Sequence, residues 1–159
     1  MGNDAEPIYL TEEGARQLRE ELDELVNVKR PELADRLREA RSMGDLAENA
    51  DYHDAKEQQA FLEGRVQQIE HTLRNATIVP DDRQSDTIHV GSRVTLVEEG
   101  VEDEPENYFI VGAAEANPAE GRISNESPMG KALMGRRAGD VITVEAPAGT
   151  LRFKIKAVE

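Results

Sequence analysis

The sequence predicts an α+β protein: an N-terminal antiparallel coiled-coil hairpin over residues 1–79, a polar linker at 80–89, and a small β-rich domain over 90–159. Three observations carry this. Apolar residues in the first half recur at alternating spacings of three and four, the seam of a coiled coil. Runs of strand-forming residues punctuated by Gly and Pro dominate the second half. Of 159 residues, 38% are hydrophobic and only 4% aromatic, with no Trp, too little to fill one large core.

The first helix begins at Thr11, a good N-cap, with Glu12 and Glu13 in the first turn where the helix dipole favours them. Its apolar stripe is Leu18, Leu22, Leu25, Leu33, Leu37 and Ala40, running to Met43. The repeat slips between Leu22 and Leu33, a heptad plus four, and Pro31 lies in the slip. A local bend is expected there, because the pattern resumes beyond it. The second helix is more regular: Tyr52, Ala55, Gln59, Leu62, Val66, Ile69, Leu73 and Ala76 keep the spacing over three heptads. Two such segments with a short break pair antiparallel. About thirty residues per arm give a rod of roughly 45 Å.

Between the arms lies Met43-Gly44-Asp45-Leu46-Ala47-Glu48-Asn49-Ala50. Gly44 suits a left-handed residue closing the first helix. Asp45 with Glu48 three residues on has the spacing of a capping box opening the second helix. The same two carboxylates, close together at an exposed tip, could also share a hard cation such as Mg²⁺, which takes few protein ligands and keeps its waters. Two ligands alone would hold it weakly, so such a tip would work by completing a metal site on another molecule. The two uses are compatible, since a cap occupies only part of each carboxylate's acceptor capacity.

Pro80 to Asp86 reads as linker. Strands are expected at Val90–Val97, Tyr108–Val111, Val141–Val144 and Leu151–Val158. In the last, Leu151, Phe153, Ile155 and Ala157 face one way and Arg152, Lys154 and Lys156 the other. Pro147-Ala148-Gly149 turns a terminal hairpin. Ser127 as N-cap, Pro128 as first helical residue and Gly135 as stop frame a short helix at Met129–Met134. The acidic stretch from Glu98 to Asn107 reads as an exposed loop.

Several classes are excluded. There is no Cys, hence no disulfide framework, Cys-ligated zinc or thiol nucleophile. No apolar run nears the roughly 18 residues of a membrane span, and the acidic start has no apolar stretch of signal-peptide type. A cytoplasmic location and no membrane partner are expected. The net charge of −14 comes from 33 acidic and 19 basic residues. It is spread, with 18 acidic and 10 basic side chains in residues 1–79 and 15 and 9 in the rest. Broad binding to a phosphate backbone is disfavoured by that charge, and most of these carboxylates serve solubility. His53 and His71 stand isolated on the second helix, and His89 alone in the second half supports no Ser-His-Asp set.

The run Gly44-Asp45-Leu46-Ala47-Glu48-Asn49-Ala50-Asp51-Tyr52-His53 closely resembles the tip of the Gre family of bacterial transcript-cleavage factors. Ala55-Lys56-Glu57-Gln58-Gln59, Glu63-Gly64-Arg65, Leu10-Thr11-Glu12-Glu13-Gly14, and Ile123-Ser124-Asn125-Glu126-Ser127-Pro128-Met129-Gly130-Lys131-Ala132-Leu133-Met134-Gly135 with Gly139-Asp140 extend the likeness over nearly the whole chain. The resemblance implies an FKBP-like fold for the C-terminal domain, which would dock on the rim of the secondary channel of RNA polymerase. The coiled coil would enter the channel as a monomer and stimulate the polymerase's own cleavage of the extruded RNA 3′ end in backtracked complexes. By the same resemblance, Asp45 and Glu48 would help hold a second Mg²⁺ jointly with the polymerase, with no metal held stably by the isolated protein. This would be a factor completing another enzyme's site, not an enzyme.

Docking is implied around Glu126, Ser127 and Pro128, although Ser127 and Pro128 are also good helix-start residues. Tyr52 would lie near the RNA end or simply begin the seam. Arg36, Arg38 and Arg41 could meet the extruded RNA. They are interleaved with Glu32, Asp35 and Glu39, a modest basic patch that favours the less basic, GreA-like branch and short cleavage products. Two alternatives stand beside this: a Gre-like channel-binding inhibitor without cleavage activity, whose tip would depart from the acidic pattern, and an FKBP-like prolyl isomerase or chaperone, whose pocket would be lined by aromatics.

Overall fold

The computed structural model describes residues 7–45, 47–80 and 85–159. The acidic start, Leu46 of the tip and most of the polar linker lie outside the described residues. The elements in order are β1 (Ile8–Thr11), α1 (Glu12–Glu24), a π-helical turn (Leu25–Lys29), α2 (Arg30–Ser42), α3 (Ala50–Asn75), β2 (Ala76–Val79), β3 (Arg93–Glu98), β4 (Glu106–Val111), β5 (Arg122–Ser124), α4 (Pro128–Leu133), β6 (Val141–Ala146) and β7 (Gly149–Val158). They group into two compact units, one of Ala15–Asn75 and one joining the chain up to Gly14 with Ala76–Glu159.

The first unit is the helical hairpin. Every residue of both predicted stripes is buried or half-buried. Ion pairs between the arms run in antiparallel order: Arg65 with Glu21, Arg30 with Glu63, Arg36 with Asp54. The slip at Pro31 has a structural counterpart. A repeat continued from Leu22 and Leu25 would put seam positions at 32, 36 and 39, whereas Leu33, Leu37 and Ala40 are the inward residues, each one later. The extra residue is taken up in the π-helical turn, where the Arg30 N–H donates to Leu25 O. Pro31 explains its place: it has no N–H to donate, and its ring crowds the carbonyl four residues back. The helix therefore continues through the slip.

The second unit holds a five-stranded mixed sheet in the order β5-β4-β3-β7-β6 and a two-stranded parallel sheet of β1 and β2. Ile88, Val94, Leu96, Ile110, Leu133, Ile142, Phe153 and Ile155 form its core, with Met129, Ala132 and Met134 packed against it. The β6–β7 hairpin turns through Pro147 and Ala148, with Ala146 opposite Gly149. Strand β7 alternates as the sequence predicts as far as Ile155. The β3–β7 register then shifts between Thr95 and Leu96, whose partners are Ala157 and Ile155, so Lys156 is the extra residue of a bulge. Beyond it Val158, opposite Val94, packs against the core instead of the expected Ala157.

The pairing of β1 with β2, register Ile8↔Ala76 to Thr11↔Val79, ends the seam of the second helix at Leu73 and turns Ala76 into a strand residue. It also groups both strands with the β-rich unit instead of the hairpin. Residues 87–89 of the expected linker likewise belong there, with Thr87 bridged to Arg137 and Ile88 buried. The start of α1 is gripped within this unit. Thr11 Oγ1 accepts from Gly14 N at 3.0 Å as the N-cap. The carboxylate of Glu115, in the turn Ala113–Glu115, accepts from Thr11 N at 2.9 Å and Thr11 Oγ1 at 2.6 Å, and from Arg122 Nη2 at 3.2 Å.

Candidate functional site

Helix α2 ends at Ser42, and Gly44 follows at φ +113°, a conformation that residues with a Cβ rarely adopt. The reversal leaves a loop before α3 opens at Ala50, in which Met43, Gly44, Asp45, Ala47 and Glu48 are exposed and Asn49 is half-buried. Here the capping box read from the sequence is overturned. Asp45 does not open a helix. Its Oδ1 accepts from Ala47 N at 3.0 Å, a local Asx turn. The N-cap of α3 is Asn49, whose Oδ1 accepts from Tyr52 N at 3.1 Å. Glu48 lies before that cap, not inside the first turn, and makes no side-chain hydrogen bond among the described residues.

Asp45 and Glu48 are both exposed and, with Met43, Asn49, Ala50 and Asp51, line one shallow open depression. Among the described residues no three His, Asp or Glu side chains group so as to hold a metal ion. The donor set is thus a pair of hard, hydrated carboxylate oxygens, which fits a weakly held Mg²⁺ that finds its other ligands elsewhere.

Other side chains frame the loop. Asn49 Nδ2 donates to Ala40 O at 2.6 Å, tying the end of α2 to the start of α3. His53 Nε2 lies 3.4 Å from Ala47 O. The half-buried ring of Tyr52 carries the Arg41 guanidinium 5.8 Å and the Lys56 ammonium 6.0 Å from its centroid. Tyr52 therefore begins the seam and is also part of the cationic surround of the tip. Of the other arginines, Arg36 is taken up across the hairpin by Asp54 at 2.6 Å and Gln58 at 3.0 Å, and exposed Arg38 by Asp35 at 3.0 Å. Farther from the tip, the Arg65 guanidinium forks onto Glu21 at 2.7 and 2.8 Å and holds that carboxyl below its usual range.

The second predicted site lies in the β-rich unit. Ser127 caps α4, its Oγ accepting from Gly130 N at 3.0 Å and donating to Ser124 O at 2.7 Å. Both capacities of that hydroxyl are thus engaged within the loop. Glu126 and Pro128 on either side are exposed. Gly130 permits this packing, since a Cβ there would lie 1.9 Å from Ser124 O. The aromatics do not enclose an apolar pocket of the isomerase kind: Phe153 is in the core, and Tyr108 and Phe109 line a hollow otherwise walled mostly by polar and charged residues, Arg93, Thr95, Asn107, Glu120 and Arg122 among them, with the Arg93 and Arg122 guanidiniums 5.4 and 5.7 Å from the Phe109 ring centroid.

Sequence reasoning missed Asn49. Its signal was available, an Asn directly before the helical pattern, but the Asp-x-x-Glu spacing four residues earlier matched a stronger rule.

Two family sequence models match the chain: "Transcription elongation factor, N-terminal" over residues 8–78 and "Transcription elongation factor, GreA/GreB, C-term" over 83–159. The transcription elongation factor GreA of Bacillus subtilis is 49% identical over 146 residues, 92% of each chain. That of Thermoanaerobacter pseudethanolicus is 46% identical over 152 residues, 95% of this chain and 96% of the relative. Among solved structures, GreA factor homolog 1 (Gfh1) of Thermus thermophilus is 30% identical, covering 96% of this chain and 99% of its own, with a TM-score of 0.44.

Proposed function

Because the chain belongs to the GreA/GreB family of transcription elongation factors, we propose that it binds RNA polymerase at the secondary channel and stimulates the polymerase's own cleavage of the nascent RNA 3′ end in backtracked, arrested complexes. Elongation then resumes from the new 3′ end. The observation that carries the reading is that Asp45 and Glu48 stand exposed on the hairpin loop while Asn49 does the capping. Neither carboxylate is consumed by holding the helix.

The two carboxylates are offered to a Mg²⁺ held jointly with the polymerase, where the ion supplies positive charge for water activation and leaving-oxygen stabilisation. Asp45 and Glu48 orient that site, and the remaining ligands and the bond-breaking chemistry belong to the polymerase. The chain is a factor, not an enzyme by itself. Arg41 and Tyr52 are the side chains of this set best placed to meet RNA, since Arg36 and Arg38 already have acidic partners.

Docking is assigned to Glu126 and Pro128, with Ser127 shaping the loop between them through its two internal hydrogen bonds. The modest basic patch suits short GreA-like cleavage products. The protein acts in the cytoplasm as a monomer; among the described residues no helix is long and apolar enough to cross a membrane. The test is to add the wild-type protein to stalled, backtracked complexes and follow RNA length. Shortening from the 3′ end is expected. Binding without shortening would sink the cleavage reading and leave a channel-binding inhibitor.

A further inference from the structure

We propose that Asn49 is the positioning residue of the tip, a two-sided brace that fixes the loop carrying Asp45 and Glu48. The inference rests on the functional reading of that loop given above.

A loop joining two helices is placed by its two roots, and here one side chain ties them together. Asn49 Nδ2 donates to Ala40 O at 2.6 Å, in the last turn of α2. That carbonyl also accepts from Met43 N at 3.3 Å, the long bond that closes the helix, so the Asn49 amide supplies its second and much shorter bond. Asn49 Oδ1 accepts from Tyr52 N at 3.1 Å, one of the orphan donors at the start of α3. Only a primary amide offers a donor and an acceptor in this fork. A Ser can keep the cap but is too short to reach Ala40 O as well. An Asp keeps the cap but turns a second oxygen toward that carbonyl.

The brace matters because, among the described residues, little else holds the loop. Gly44 turns the chain at φ +113°, and the Asp45 carboxylate accepts from Ala47 N within the loop. His53 Nε2 approaches Ala47 O at 3.4 Å, a weak tie, and Glu48 makes no side-chain hydrogen bond among the described residues. A pair of carboxylates that must meet a metal on another molecule pays for any freedom with lost alignment; a misplacement of about 1 Å can cost on the order of a hundredfold in rate.

The test compares full-length wild type with Asn49→Ala, which loses both bonds, and Asn49→Ser, which keeps the cap alone. Asp45→Ala is the control. In the free proteins, hydrogen exchange at the Ala47 amide should quicken in both Asn49 variants, while the Tyr52 amide stays protected in Asn49→Ser. With backtracked polymerase complexes, both variants should lower cleavage at saturating factor about tenfold or more. The factor concentration for half-saturation should be unchanged, and the Mg²⁺ needed for half-maximal cleavage raised. Wild-type cleavage by Asn49→Ser would overturn the brace, since a cap alone would then suffice. So would a loss of cleavage that tracks lost polymerase binding or lost helix. Full cleavage by Asp45→Ala would sink the reading of the loop itself, whatever the Asn49 variants do.

Discussion

Replacing Glu115 with Ala removes a carboxylate whose side chain is 3% exposed and which accepts hydrogen bonds from Thr11 N, Thr11 Oγ1 and Arg122 Nη2. The three losses differ. The Arg122 side chain is 20% exposed, so its guanidinium can turn partly to water. Thr11 is 6% exposed, and its N–H and hydroxyl proton would be left facing a cavity. Each buried donor stranded in this way costs about 1–3 kcal/mol, so Glu115→Ala should destabilise the β-rich unit by about 3 kcal/mol. The assay is native-state hydrogen exchange at the buried-strand amides of Ile110 and Ile155, because a chain of two compact units need not unfold in one step. A double-mutant cycle with Thr11→Val should give a coupling of at least about 0.5 kcal/mol. A cost for Glu115→Ala below about 1 kcal/mol, or additive effects in the cycle, would refute the reasoning.

Two further outcomes follow from the geometry. Gly130→Ala drives a Cβ to 1.9 Å from the Ser124 carbonyl and must shift the loop that presents Glu126 and Pro128. Its affinity for polymerase should fall about tenfold, ~1.4 kcal/mol, with cleavage at saturating factor retained, as read by titrating factor against stalled complexes. Glu21→Gln should destabilise the hairpin only above the acid range. The Glu21 carboxyl is held low by Arg65, so the pair's contribution is full above the unfolded value of 4.5 and is lost as pH falls through the lowered folded value. Both side chains are about two-fifths exposed, so the difference stays below about 1 kcal/mol. Urea midpoints followed by circular dichroism should differ at neutral pH and converge as pH falls through the lowered carboxyl value.

How much of this was legible in the sequence depended on whether a feature is written in consecutive residues. The seams of both arms are periodic, and every stripe residue up to Leu73 proved buried or half-buried in the hairpin. The caps Thr11 and Ser127 follow from local preference and were placed correctly. What was missed depends on distant partners. Strands β1 and β2 are four residues each, too short to declare themselves, and exist because each supplies the other's hydrogen bonds across the length of the hairpin. Ala76 satisfied the seam spacing and lost it to that pairing. Strand β5, three residues long, is a strand only because β4 lies beside it. At the tip two rules competed for one stretch, and the Asn49 cap won: its amide caps α3 and also donates to the carbonyl of Ala40 at the end of α2. The resemblance supplied docking and metal sharing, which neither periodicity nor spacing could give.

The central claim is that the tip carries chemistry and the β-rich unit carries docking. The measurement that tests it most directly is cleavage by Asp45→Ala and Glu48→Ala on backtracked polymerase complexes, with binding followed in parallel. Cleavage should be lost while the affinity for polymerase stays near that of wild type, since neither carboxylate caps α3. If affinity fell in step with cleavage, the two residues would be holding the fold or the contact, and the assignment of chemistry to them would be wrong.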